Sequence, residues 1–179
     1  MRCTIWMRSF GRVRGISLCF EIERKFLIRM PDASFLQSAE KDCIEQTYLL
    51  CQDGSERVRK RSRRGKITYT HTQKKRITDL RRIENERVIR EAEYQQLLSR
   101  ADPGRRMIIK DRYCVDYMGQ LLEIDVYPFY EDRAILEIEL RDESQEIHIP
   151  PWIQLVRELT EDRRYTNASM AKTIPFEEI

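Results

Sequence analysis

Charged side chains recur two residues apart in segments that otherwise read as strands: Glu21/Glu23 followed by Lys25, Arg57/Arg59, Glu84/Glu86, Lys110/Arg112, Glu123/Asp125 and Glu137/Glu139. On a strand, residues i and i+2 share a face roughly 6 to 7 Å apart, so each pair sets like charges side by side. Such a pair is costly unless something neutralises it. Carboxylate pairs can share a divalent cation, and guanidinium or ammonium pairs can share a polyanion. Acids and bases converging on one surface therefore suggest a metal-dependent site for a phosphorylated ligand.

Strands must position these pairs, and eight segments have that character: about 20–29, 44–51, 55–62, 66–77, 80–90, 105–117, 120–128 and 133–141. Turn residues punctuate them at Gln52-Asp53-Gly54, Arg64-Gly65 and Met118-Gly119, and the short gaps imply an antiparallel meander. Short helices are expected after Pro31-Asp32, over 91–101 with Tyr94, Leu97, Leu98 and Ala101 on one face, from Pro150-Pro151-Trp152, and at a last turn capped by Asn167. The class is α+β, mainly β. Leu122, Ile124 and Val126, then Leu136, Ile138 and Leu140, alternate with the acids and form an apolar face that helices must cover.

Two readings of the opposite, charged face stand at this point. In one, the sheet is open and its ion pairs are solvated, each worth well under ~1 kcal/mol. In the other, the sheet closes, and eight strands make a barrel just wide enough for side chains and one small ligand.

The 179 residues suit one domain with a real core. The formal charge is +3, but an acid-free first twenty residues hold Arg2, Arg8, Arg12 and Arg14, leaving the remainder at −1. The body is not globally basic, and no specific nucleic-acid partner is expected. Five scattered cysteines without a CxxC and two isolated histidines argue against a zinc site or disulfide framework and suit the reducing cytoplasm. No apolar run approaches the ~20 residues of a membrane helix, so no membrane partner is expected. Residues 1–19 read as a disordered extension or the product of a start codon set too far upstream, and 20–179 as a single domain.

Glu21-Ile22-Glu23-Arg24-Lys25-Phe26-Leu27 resembles the ExExK signature of the CYTH superfamily, the triphosphate tunnel metalloenzymes. The similarity continues through Gln46-Thr47-Tyr48-Leu49, Arg57-Val58-Arg59, Thr72-Gln73-Lys74, Arg82 to Glu86, Lys110 to Tyr113, Glu123 to Val126, Leu136 to Glu139 and Thr160 to Asn167. The resemblance implies a closed, eight-stranded antiparallel β-barrel with a few helices outside it. Within the superfamily the chain is most similar to the short bacterial branch, whose usual activity is divalent-metal-dependent hydrolysis of tripolyphosphate. The alternatives are a class IV type adenylyl cyclase, a thiamine triphosphatase, or a polyphosphate- or nucleotide-binding module without turnover.

By resemblance, Arg57, Arg59, Lys74, Lys110 and Arg112 are the phosphate ligands. Glu21, Glu23, Glu137 and Glu139 are the metal-binding carboxylates, with Asp125 in addition, and hard oxygen donors suit Mg²⁺ or Mn²⁺. Lys25 and Tyr48 are the catalytic candidates, to orient or activate the attacking water. Ordinary alternatives are an ion pair of Lys25 with Glu21 or Glu23 and strand packing of Tyr48. Glu84 and Glu86 are expected to hold the arginines, Arg163 and Arg164 to lie at a tunnel end, and a homodimer is left open.

Overall fold

The computed structural model describes residues 10–13, 16–19, 22–76, 82–142 and 144–179, with backbone alone for 10–13, 16–19, 75–76 and 82–84. The strands are β1 (Phe10–Val13), β2 (Ile16–Cys19), β3 (Ile22–Arg29), β4 (Glu40–Leu49), β5 (Ser55–Arg63), β6 (Lys66–Arg76), β7 (Arg82–Ile89), β8 (Ile108–Tyr117), β9 (Gln120–Val126), β10 (Arg133–Leu140) and β11 (Leu155–Glu158). Among the described residues three short helices accompany them: α1 (Ala33–Leu36), α2 (Glu91–Leu98) and α3 (Asn167–Met170), with a 3₁₀ turn at Arg163–Tyr165. β1 and β2, which pair with each other, fall in the stretch read from sequence as an extension.

All eight expected strands form, and their turns work as the sequence predicts. Arg64-Gly65 and Met118-Gly119 both have positive φ (48° and 78°; 49° and 76°), the conformation of a two-residue hairpin loop whose twist matches the flanking strands.

The expected closed eight-stranded barrel is not formed. The main sheet has nine strands in the order β11-β3-β10-β9-β8-β4-β5-β6-β7, and among the described residues no ladder joins its two edges. The reason lies at β3, whose free edge closure would need. β11 takes that edge, with Leu155 opposite Ile28, Arg157 opposite Leu27 and Glu158 opposite Phe26. The backbone N–H of Leu159 then donates to the carbonyl of Lys25. β11 arises just beyond Pro150-Pro151-Trp152, where a helix was expected and a turn forms instead.

The open sheet nevertheless curls. Six strand spacings separate β3 from β6, about 29 Å in a flat sheet, yet the Lys74 ammonium on β6 lies near enough for its charge to favour the Glu23 carboxylate on β3. The convex side carries the apolar cores. Phe26, Ile28, Leu122, Ile124, Leu136 and Ile138 are buried beneath α1 and the segment around Ile153, where Trp152 stacks on Phe35 with ring centroids 4.9 Å apart. α2 lays Tyr94 onto Leu49, Val58 and Ile89. A third cluster closes one end of the concave side: Leu27, Tyr48, Ile108 and Ile135 pack against Leu159, Tyr165 and Met170 of the C-terminal segment.

Candidate functional site

Directly opposed residues of an antiparallel ladder share a face, so register alone fixes the composition of the concave side. Glu139 lies opposite Glu23 and Glu137 opposite Lys25. Glu137 also faces Glu123, Asp125 faces Arg112, and Arg112 faces Asp42. Along the other half, Gln46 pairs with Arg59 and Tyr48 with Arg57, Ser55 with Lys74, and Thr72 and Lys74 with Glu86 and Glu84. Lys110 joins by its two-residue offset from Arg112. Every described candidate thus occupies one face, while Glu21 lies outside the described residues.

The acidic wall is already half neutralised by bases from neighbouring strands. Glu137, only 8% exposed, receives Lys25 Nζ on Oε1 at 2.7 Å and Arg112 Nη2 on Oε2 at 2.5 Å. Burial pushes its carboxyl upward, but Lys110, Arg112 and Lys25 more than reverse that and hold it well below the usual carboxylate range. Arg112 also makes a bidentate pair with Asp125, Nε to Oδ1 at 2.6 Å and Nη2 to Oδ2 at 2.7 Å, and a further short contact with Glu123. Lys110, 2% exposed, donates to Asp125, and burial followed by repulsion from Arg112 lowers its ammonium to about 8. Glu23 behaves differently. It is half-exposed, and burial together with the Glu137 charge raises its pKa, although Lys25 lies 3.8 Å away.

The basic wall runs along β5. Arg59 donates from Nε and Nη2 to Gln46 Oε1 at 3.3 and 3.2 Å, and burial followed by the Arg57 charge lowers its guanidinium to about 10. It remains a cation at neutral pH. Arg57 approaches Glu86 at 3.9 Å, and Glu86 accepts the Thr72 hydroxyl at 2.7 Å. The same two-residue period continues to Arg61 and Arg63, which sequence reasoning passed over although Arg57-x-Arg59-x-Arg61-x-Arg63 displays it. Both converge on Asp42, fully buried at 0% exposure: Arg61 Nε at 2.7 Å, Arg63 Nε at 2.5 Å and Arg63 Nη2 at 2.7 Å. Asp42 was missed, and Gln46 was noted only within the Gln46-Thr47-Tyr48-Leu49 stretch without a role, because neither belongs to a charge pair. Their signal is the parity of β4, which places them with Tyr48.

Asp42 also sets a pH dependence. Burial raises its pKa, but hydrogen bonds from Arg63 and Arg61 outweigh this and leave it lowered. Its stabilisation is therefore present above the unfolded value of about 3.9 and is lost as pH falls through the lower folded value. Asp42→Asn should cost about 2 kcal/mol at neutral pH, less than a fully buried pair because Arg61 is partly exposed. Thermal melts at pH 7 and pH 3 check this: the gap between wild type and variant should shrink in acid.

At the edge of the concave face a cavity of about 650 Å³ opens between β3 and the C-terminal segment, lined in part by Glu23, Lys25, Thr160, Arg163 and Ser169. Thr160 Oγ1 accepts the backbone N–H of Lys25 at 3.1 Å. Arg164 turns away to Asp162 at 2.6 Å.

No protein-family model matches the chain. An inorganic triphosphatase of Nitrosomonas europaea is 35% identical over 160 residues, spanning 87% of this chain and 99% of that protein. The chain belongs to the CYTH, or triphosphate tunnel metalloenzyme, superfamily. A crystal structure of an inorganic triphosphatase is similar to it with TM-score 0.58 and 31% identity, covering 89% of this chain and 99% of that one. A second, of a hypothetical protein, has TM-score 0.58 and 32% identity over 87% of this chain and 100% of its own.

Tunnel metalloenzymes take their name from a bound cation, which carboxylates of the concave face would have to hold in this member. Among the described residues no three His, Cys, Asp or Glu side chains converge on one point. The chemistry nonetheless fits a hard divalent ion. Glu23 and Glu139 are opposed in register and exposed, and Glu23 is raised first by burial and then by the Glu137 charge, both of which a bound cation would oppose. Asp125, by contrast, is committed to Lys110 and Arg112. Lys25 is ion-paired with Glu137. Burial lowers its pKa, but Glu137 and Glu23 outweigh this and leave it raised, so it stands as an ammonium donor. No helix among the described residues is long and apolar enough to cross a membrane.

Proposed function

We propose that this protein hydrolyses inorganic triphosphate, a small-molecule substrate bound on the concave face of the curled sheet. The observation that carries the reading is the division of that face: bases along β5, β6 and β8 confront carboxylates along β3, β9 and β10, in a chain 35% identical to an inorganic triphosphatase. Tripolyphosphate carries about four to five negative charges near neutral pH, and phosphoryl transfer is catalysed mainly by positioning and charge stabilisation.

Arg57 and Arg59 grip phosphoryl oxygens with guanidinium forks, and Lys74, Lys110 and Arg112 add further positive charge. Glu23 and Glu139, with Glu21 and Glu137 each two residues away in sequence, would hold Mg²⁺ or Mn²⁺, which would supply the remaining neutralisation and polarisation of the terminal phosphoryl group. Lys25, fixed by Glu137, orients the attacking water by donating to it. Tyr48 donates a hydrogen bond to the substrate. The free thiols Cys43, Cys51 and Cys114 suit the reducing cytoplasm, where we place the protein.

Phosphate release from tripolyphosphate, ATP and thiamine triphosphate, with Mg²⁺ or Mn²⁺ and with chelator, tests this reading. Tripolyphosphate should be cleaved fastest and chelator should abolish cleavage. Cyclic AMP as the main product from ATP would overturn it, and tight binding of tripolyphosphate without turnover would favour a receptor.

A further inference from the structure

Arginine only donates hydrogen bonds, and this fixes how a neighbouring amide must lie. Arg59 Nε and Nη2 both reach Gln46 Oε1, so the oxygen of that amide, not its nitrogen, faces the guanidinium. The nitrogen is thereby turned onto Tyr48, with Nε2 donating to the phenol oxygen at 2.7 Å. Arg57, directly opposite Tyr48 in register, sets its positive charge beside the same oxygen. The amide nitrogen offers no lone pair in return, so the phenol's own hydrogen must point elsewhere.

Among the described residues that hydrogen meets no acceptor. Gln46 is 1% and Tyr48 4% exposed, so bulk water does not set either orientation. Burial holds the Tyr48 phenol above its ordinary value, against the pull of Arg57 and Arg59, and the hydrogen is retained at neutral pH. Register stacks the four groups as two cross-strand pairs, Gln46 with Arg59 and Tyr48 with Arg57, on the concave face.

We propose that Gln46 is a positioning residue that orients Tyr48 as a one-way hydrogen-bond donor to a phosphoryl oxygen of the bound triphosphate, using Arg59 to fix its own amide. The inference rests on the reading of the concave face as a triphosphate site. Gln46 itself touches no substrate. Its effect passes through the phenol, whose hydrogen would otherwise be free to turn back onto the amide oxygen.

A double-mutant cycle tests this, with Gln46→Met, Tyr48→Phe and the double variant read by calorimetric binding of tripolyphosphate in chelator and by phosphate release with metal. Each single change should weaken binding about tenfold, the value of one hydrogen bond to a charged group. The double should be less than about threefold weaker than either, because Gln46 then has no phenol to orient. An additive loss of about a hundredfold, or wild-type binding by Gln46→Met, would overturn the proposal. If Gln46→Met fails to fold, Gln46→Asn, which keeps the amide one methylene short of the phenol, carries the same cycle. Coupled binding losses without turnover in the wild-type protein would support the role of Gln46 while removing the hydrolase reading; no binding by the wild type would remove both.

Discussion

Glu137→Gln should reduce phosphate release from tripolyphosphate by about a hundredfold or more, with a smaller change in KM. Glu137 is the carboxylate on which Lys25 and Arg112 meet. The substitution keeps the shape and removes the charge, so Lys25 loses the partner that aims its ammonium, and a misplacement of about 1 Å in a catalytic group is enough for a hundredfold loss. Stability should fall too, because two cations that are largely removed from water lose a shared counter-charge. Steady-state phosphate release and a thermal melt separate the two effects. A variant that melts lower and turns over normally would show that Glu137 serves only to hold the fold.

Arg59→Ala should raise KM by about 10- to 100-fold, the range expected for losing hydrogen bonds to a charged group, with kcat changed less. The guanidinium lies deep in the basic wall and stays charged at neutral pH, and Gln46 presets its direction before substrate arrives. Capture, not bond breaking, should suffer. Arg59→Lys should restore charge but not the fork, and its KM should lie between those of the wild type and the alanine variant. Equal losses in kcat and kcat/KM would instead assign Arg59 an interaction made only in the transition state.

Much of this arrangement was legible from spacing. The period of two fixes which residues share a face, and the Arg64-Gly65 and Met118-Gly119 loops fix the hairpins, so the face shared by Lys25, Arg59, Arg112 and Glu137 follows once the strands pair. The apolar alternation of Leu122, Ile124, Leu136 and Ile138 likewise marks the side turned toward α1.

Closure was not legible, because it depends on which chain occupies the outer edge of β3. Leu155–Glu158 has little strand character of its own and pairs only because Leu27 and Ile28 are there to receive it. The roles of Gln46 and Asp42 were missed for a related reason. A lone amide and a lone acid carry no periodic signal, and their roles appear only when β4 brings them between Arg59, Arg61, Arg63 and Tyr48. Side chains that act by organising others leave less trace in sequence than those that act in pairs.

The most direct test of the central claim is a crystal structure of the protein soaked with tripolyphosphate in the presence of chelator. The ligand should lie on the concave face, with Arg57 and Arg59 on its phosphoryl oxygens and the Tyr48 hydroxyl within hydrogen-bond reach. Tripolyphosphate bound instead on the exterior, for example beside the exposed Arg106 and Lys172, with the concave face unchanged, would contradict it.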